Sequence, residues 1–337
     1  MTKLRLSRKV SLFLLIGAFL CFYSWIVFLA AWPKLPSESH PIQLYSNQTR
    51  QDIKLTYSQA LNRATHSIFL SVYGITDPQI LAVICKKAFE KLSISIEYDP
   101  SASSPLKKLL PSSINVTPIK SSGLMHRKIV LIDKTQVFLG SANLTPSSLC
   151  HHANLVVGIY HPPLAAFLES PTAPSYFFEI QGQQGEIFLF PDPMKGGLSR
   201  LITLIDNAKR EIKIAMFTLT HPEIAEALLS AKKRGVAVSI AIDAYTARGA
   251  SKKTILALEK GGIRPVLSQG RELLHHKWAI IDQRVLVTGS ANWTKAAFNK
   301  NHDFLLFLSP LEKKQIRFLN RLWDIIEAES IDPKESL

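Results

Sequence analysis

The sequence predicts an α/β protein made of two duplicated β-α-β domains, preceded by one N-terminal transmembrane helix. Three observations carry that prediction. A pattern of six fixed residues, His-x-Lys-x4-Asp-x6-Gly-Ser-x-Asn, begins at His126 and again at His275, an offset of 149. With each residue type at about 5% usage, such a match arises by chance about once in 10⁸ starting points. Strand-like and helix-like patterns alternate in the same order ahead of both copies. Near its start the chain also carries 23 consecutive uncharged residues, Val10 to Trp32.

Taken in order, residues 1–9 carry Lys3, Arg5, Arg8 and Lys9 and are expected as a basic cytoplasmic N-terminus. Residues 10–32 follow as a transmembrane anchor, since about 20 apolar residues span a hydrocarbon core, whereas the apolar region of a cleavable signal runs to roughly 7–15. Basic residues before the span keep the N-terminus cytoplasmic and put the remainder on the extracytoplasmic side, as a single-pass membrane protein. Leu29-Ala30-Ala31 offers a cleavage site, so secretion after signal removal is the alternative. Residues 33–43, with Pro33 and Pro36, read as a tether.

The first domain is expected over 44–170. Ser67 to Ile75 is rich in β-formers, and Thr76-Asp77-Pro78 then supplies a helix cap with proline in the first turn. A helix ending in Lys86-Lys87 leads to the apolar strand Ile94 to Asp99. The second domain, 186–330, repeats this as Glu211 to Leu219, then Thr220-His221-Pro222, a helix ending in Lys232-Lys233-Arg234, and the strand Val236 to Asp243. Such β-α-β units imply a mainly parallel sheet covered by helices. Turn formers gather at 171–185, which reads as the linker, with Tyr176 to Phe178, Phe188 and Phe190 in strands of the second core. Leu311 to Glu329 has helical apolar spacing and closes the fold, with Trp323 in the core.

Composition narrows the function. A 47% hydrophobic, 20% charged chain of 337 residues has ample material for folded cores, which excludes a disordered one. The formal charge of +14 suits an anionic partner, either phospholipid headgroups or nucleic acid. Three cysteines make no disulfide framework. His151-His152 has no second cluster at ligand spacing, so no metal is expected.

In a strand, alternate side chains share a face, so His126 projects with Lys128 and His275 with Lys277, while Arg127 and His276 face the other way. An imidazole beside an ammonium and an Asn amide is suited to a phosphate: the lysine and amide donate to its oxygens, and the imidazole attacks phosphorus or moves a proton. Two copies brought face to face supply a nucleophile on one side and an acid on the other.

Both segments resemble the HKD motif of the phospholipase D superfamily. The second, His276 to Asp282 and Gly289 to Thr294, is especially similar to the branch of mitochondrial cardiolipin hydrolases and bacterial nucleases. The resemblance implies two domains about a pseudo-twofold axis, a phosphohistidine intermediate, and no metal or other cofactor. Carried over, it makes His126 and His275 the catalytic pair and Lys128, Lys277, Asn143 and Asn292 the phosphate ligands. Ser141 and Ser290 support them, and Asp133 and Asp282 are structural.

The family also uses an acidic residue to orient the nucleophilic histidine. Asp303 lies 28 residues after His275, and the same step from His126 reaches Asn154. The expectation is therefore that Asp303 backs His275 as nucleophile, with His126 as acid. The resemblance implies hydrolysis or transphosphatidylation of a phospholipid at a membrane, by a chain active as a monomer because it holds both motifs. A metal-independent endonuclease is the alternative. Asn154 favours a third reading, a degenerate module that binds anionic lipid or nucleic acid without turnover.

Overall fold

The computed structural model describes residues 8–269 and 273–331, in two compact units, residues 1–34 and 35–337. The first unit holds helix α1 (Arg8–Ala31), along which Phe13, Leu14, Phe19, Tyr23 and Trp25 are exposed. Among the described residues, no helix is long and apolar enough to cross a membrane. The anchor expected at 10–32 includes side chains outside the described ones, and Lys3 and Arg5 also lie outside them.

The second unit begins with β1 (Ile42–Tyr45), α2 (Ile53–Arg63), β2 (Ser67–Val72), α3 (Pro78–Phe89), β3 (Ser93–Tyr98) and β4 (Asn115–Pro118). The first motif follows as the hairpin β5 (Lys128–Ile132) and β6 (Gln136–Gly140), then α4 (Pro146–Cys150), β7 (Val156–Tyr160) and α5 (Pro162–Glu169). The second half runs β8 (Ser175–Ile180), β9 (Gln183–Leu189), α6 (Gly196–Asn207), β10 (Glu211–Met216), α7 (Pro222–Lys233) and β11 (Ala237–Asp243). It continues with α8 (Ala244–Arg248), α9 (Lys252–Lys260), β12 (Val266–Ser268), the motif hairpin β13 (Lys277–Ile281) and β14 (Val285–Gly289), and α10 (Lys295–Asn299). The last elements are β15 (Phe304–Ser309), α11 (Lys313–Ala328) and β16 (Ser330–Ile331). Residues 171–185, expected as a linker, thus contain β8 and the start of β9.

The strand orders are β1-β7-β6-β5-β2-β3-β4 and β16-β12-β11-β10-β13-β14-β15-β9-β8. From β9 to β12 the second sheet reproduces the first, so the duplication extends through seven strands. Each half contains its β-α-β unit, with β2 parallel to β3 and β10 parallel to β11. The expectation of mainly parallel sheets is corrected, because the motif strands pair antiparallel with β2 and β10 and with the strands that follow them.

The physical reason is the turn after each motif strand. Asp133 and Lys134 adopt φ of 51° and 55°, and Asp282 and Gln283 adopt 53° and 55°. Two successive left-handed residues reverse the chain in a tight hairpin, and such a turn joins antiparallel strands only. The aspartates then fasten the hairpins. Asp133 accepts from the backbone N–H groups of Thr65, His66 and Ser67 at 2.7–3.1 Å, and Asp282 from those of Lys209, Arg210 and Glu211 at 2.7–3.0 Å.

Side-chain alternation divides the core into three layers. Val130 and Ile132 of β5 pack outward with α2 and α3, as Ala279 and Ile281 of β13 do with α6, α7 and α9. The intervening Ile129, Leu131, Trp278 and Ile280 join one cluster shared by both halves and sealed by Leu319, Leu322, Trp323 and Ile326 of α11. Trp278 meets Trp323 edge-on at 6.3 Å. Replacing a buried aromatic such as Trp278 by alanine typically costs about 3–5 kcal/mol. This shared layer holds the two motif strands in fixed relation.

Candidate active site

Each motif histidine lies in the short approach to its strand, and that approach is stitched to the opposite half. Met125 forms a parallel bridge with His302, and Leu274 with Ala153. The His126 N–H donates to the His302 carbonyl at 2.8 Å, and the His275 N–H donates to that of Ala153 at 3.0 Å. The residues just after these bridges, Asp303 and Asn154, are thereby delivered to the histidines of the other half.

The crossed delivery corrects the sequence expectation. Asp303 does not partner His275, but meets His126, 177 residues away, with Nδ1 to Oδ1 at 2.8 Å. His275 instead places Nδ1 3.0 Å from Asn154 Oδ1. A spacing of 28 residues repeated in both halves suggests a local partnership, but the halves exchange these residues.

The bonds around each pair fix the tautomers. Asp303 accepts from Ser290 Oγ at 2.6 Å. Burial would raise its pKa, but His126, Lys128 and Ser290 hold it below the ordinary carboxylate value. An ionised Asp303 can only accept, so His126 Nδ1 donates and Nε2 is left with its lone pair. Asn154 Nδ2 donates to the carbonyls of Ser148 (2.8 Å) and His152 (3.2 Å), and its Oδ1 also accepts from Ser141 Oγ at 2.8 Å. The oxygen therefore faces His275, whose Nδ1 must also donate. Both rings present Nε2 for chemistry, one backed by a charge and the other by a dipole.

Of the expected phosphate ligands, the two lysines lie close enough to the rings to act on them electrostatically. Lys128 and Lys277 are fully buried. Their ammonium groups donate to the carbonyls of His126 (2.7 Å) and His275 (2.9 Å) and lie 5.3 Å from the Tyr73 ring and 5.2 Å from the Phe217 ring. Burial pushes Lys128 down to about 7. Lys277 falls well below its ordinary value through burial and then the charge of Lys128. Asn143 and Asn292 each keep a buried Oδ1 without a hydrogen-bond partner among the described residues. Poorly compensated cations are costly in a closed protein, and a phosphodiester anion would offset them, with the Nδ2 groups of Asn143 and Asn292 as the donors expected for its oxygens. Asp133 and Asp282 lie at the far ends of the motif strands, as the hairpin clamps described above.

The histidines share one electrostatic environment. Burial, and then Lys128, lower His126, while Asp303 opposes them. His275 is driven well below its ordinary value by burial first, then by Lys277, Lys128 and His126. Two groups of the first motif therefore act directly on the histidine of the second.

Four supporting residues escaped sequence reasoning. Tyr73 and Phe217 flank His126 and His275 at ring-centroid distances of 5.2 and 5.1 Å. Asp99 accepts from the Met125 N–H at 2.9 Å, and Asp243 from that of Leu274 at 3.1 Å, so each holds the approach to a histidine. Their signal was available: each pair falls at matching strand ends, 144 residues apart.

The profile of the cardiolipin synthase, PLD-like domain family matches residues 57–171 and 201–323. The mitochondrial cardiolipin hydrolase of Mus musculus is 33% identical over 134 residues, which are 39% of this chain and 59% of that protein. The Rickettsia bellii phospholipase D is 28% identical over 120 residues, 36% of this chain and 59% of that one. The chain thus spans less than two thirds of the curated relatives it matches. Phosphatidylserine synthase of Haemophilus influenzae, at 14% identity, superimposes with a TM-score of 0.70 over 89% of both chains, a likeness of fold. Matched in both halves by one family profile, and carrying the histidine motif in each, the chain belongs to the phospholipase D superfamily.

Proposed function

We propose that this protein is a phosphodiesterase of the phospholipase D type that hydrolyses a phospholipid, or transfers its phosphatidyl group to an alcohol, through a phosphohistidine on His126. The observation that carries this reading is the crossed pairing, which gives one histidine a carboxylate and the other an amide. The lone pair on His126 Nε2 attacks phosphorus, and the P–N bond forms as the P–O bond to the leaving alcohol breaks. His275, which takes up a proton at Nε2 when the anionic substrate binds, gives that proton to the leaving oxygen. Water or an acceptor alcohol then attacks from the vacated side, His275 takes its proton, and the P–N bond breaks.

The carboxylate belongs with the nucleophile, because a phosphorylated imidazole stays cationic for the lifetime of the intermediate. Asp303 offsets that charge and Asn154 cannot. His275 has to release and regain a proton, which a weaker partner favours. Its low proton affinity in the empty site rises when a bound phosphate anion offsets Lys128 and Lys277. This reverses the roles expected from sequence, on the same physical argument with the partners corrected.

Residues 10–32 are proposed as an uncleaved anchor, with residues 1–9 cytoplasmic, 33–43 a tether, and the domains at 44–170 and 186–330 working as a monomer on the extracytoplasmic side. The uncharged run behind a basic cluster supports this, as does the overall positive charge, which suits anionic lipid. The test presents the full chain, in mixed phospholipid vesicles, with radiolabelled lipid and separately with single- and double-stranded DNA, alongside His126→Ala. Turnover of lipid with quench-trapped label at position 126 is expected. DNA cleavage without lipid turnover would establish an endonuclease instead, and binding without turnover a degenerate module.

A further inference from the structure

His275 has a neighbour that the mechanism above does not use. The His152 ring lies 5.8 Å from that of His275, centroid to centroid and inclined at 50°. Its Nδ1 is buried and makes no hydrogen bond among the described residues. Its backbone is pinned, with its N–H donating to the Ser147 carbonyl at 3.0 Å and its own carbonyl accepting from Asn154 at 3.2 Å. The ring is thus held beside the acid while one of its nitrogens has no partner among the described residues.

The matching position in the other half removes a purely architectural explanation. The offset of 149 places Asn301 there, and its amide is hydrogen-bonded at both ends. Its Oδ1 accepts from the Leu124 N–H at 3.0 Å, and its Nδ2 donates to Asp303 at 3.4 Å. The fold therefore completes this corner with hydrogen bonds beside the carboxylate-backed histidine, and leaves a buried ring nitrogen without a partner among the described residues beside the amide-backed one.

We propose that His152 is a specificity residue for the leaving and accepting alcohol, hydrogen-bonding a hydroxyl group next to the oxygen that His275 protonates. The inference rests on the function proposed above. In an in-line displacement the nucleophile and the leaving oxygen occupy opposite sides of phosphorus, and a side chain adjacent to His275 can reach only the leaving side. Burial, then Lys277 and His151, keep His152 neutral, and a neutral imidazole offers one donor and one acceptor. A hydroxyl can serve either.

The experiment compares the full chain in vesicles with two substrates, phosphatidylglycerol and phosphatidyl-p-nitrophenol, whose leaving groups do and do not carry neighbouring hydroxyls. His152→Phe should lower the ratio of their kcat/KM values by about 10-fold, the size of one lost hydrogen bond to substrate, and should shift the partition of the phosphohistidine from added glycerol towards water. His152→Asn, which restores an amide near the Nδ1 position, should recover part of both. An equal loss on the two substrates, or no change in ratio and partition, would overturn the proposal while leaving the function intact. A wild-type chain that forms no phosphohistidine would overturn both.

Discussion

The two halves repeat a seven-strand order and the same six motif residues, but they differ where each histidine meets its orienting partner. His126 faces the buried carboxylate of Asp303, and His275 faces the amide of Asn154. The surroundings follow the same division. Asp99, beside the first motif, is held below its ordinary value: burial would raise it, but Ser101 and Met125 donate to it and prevail. Asp243, beside the second motif, is raised by burial, which its backbone donors do not overcome. Duplication first gives two equal sites, and displacement at phosphorus needs unequal ones. The exchanged residues make the halves unequal while leaving the sheets alike.

The largest expected effect separates nucleophile from acid. His126→Ala should reduce turnover by about 10⁴-fold or more on any substrate, since no later step can proceed without the covalent intermediate. His275→Ala should cost about 10³-fold with an alkyl alcohol as leaving group but much less in the first step with p-nitrophenol, which departs unprotonated. Quench-flow on the nitrophenyl ester should then show phosphohistidine accumulating, because His275 is also the base that activates water. Accumulation in His126→Ala rather than His275→Ala would exchange the two roles.

Asp303→Asn makes the halves nearly equivalent. It should lower kcat by about 10²–10⁴-fold, as the same exchange does in a serine-protease triad, where an amide also replaces the carboxylate behind a histidine. Circular dichroism should show the fold retained, since Ser290 still has an acceptor. Retention of more than a tenth of the wild-type rate would remove the case for charge support at His126.

The converse variant, Asn154→Asp, sharpens the comparison with a smaller effect. A carboxylate beside His275 would oppose the burial and the lysine charges that push that ring down. The protonated acid should persist to higher pH, moving the alkaline limb of kcat upward by about 1 pH unit, with a rate change under about 10-fold at neutral pH. An unmoved limb would mean that some other group provides the proton.

Much of this was legible because the informative residues are local in sequence. The His-x-Lys alternation, the Asp of the hairpin turn and the capped helix behind Asp77 and Pro78 each act within a few residues of themselves. What stayed hidden depends on contacts between distant segments. The partner of His126 is 177 residues away, and no spacing within one repeat could reveal an exchange between repeats. The antiparallel motif strands were missed because Asp133-Lys134 and Asp282-Gln283 adopt left-handed conformations without glycine, the residue that usually signals such a turn. Residues 171–185 looked like a linker for a related reason: β9 acquires its role only by pairing with β15.

The smallest effect concerns a feature in which the halves do not differ. Asp133 and Asp282 are both held below the ordinary carboxylate value: burial raises each, and the three backbone donors of each clamp overcome it. A depressed folded-state pKa stabilises the protein fully above the unfolded value, about 3.9 for aspartate, and that stability is lost as pH falls through the folded one. Asp133→Asn and Asp282→Asn should each cost about 1–3 kcal/mol at neutral pH, the range for a charge-assisted acceptor, discounted toward the lower end because both carboxylates are partly exposed to solvent. The deficits should be nearly equal, should shrink together as pH falls below about 4, and should leave the alkaline limb of kcat unmoved. Urea titrations across that range test this. A deficit confined to one half would mean that the asymmetry at the histidines extends into the scaffold.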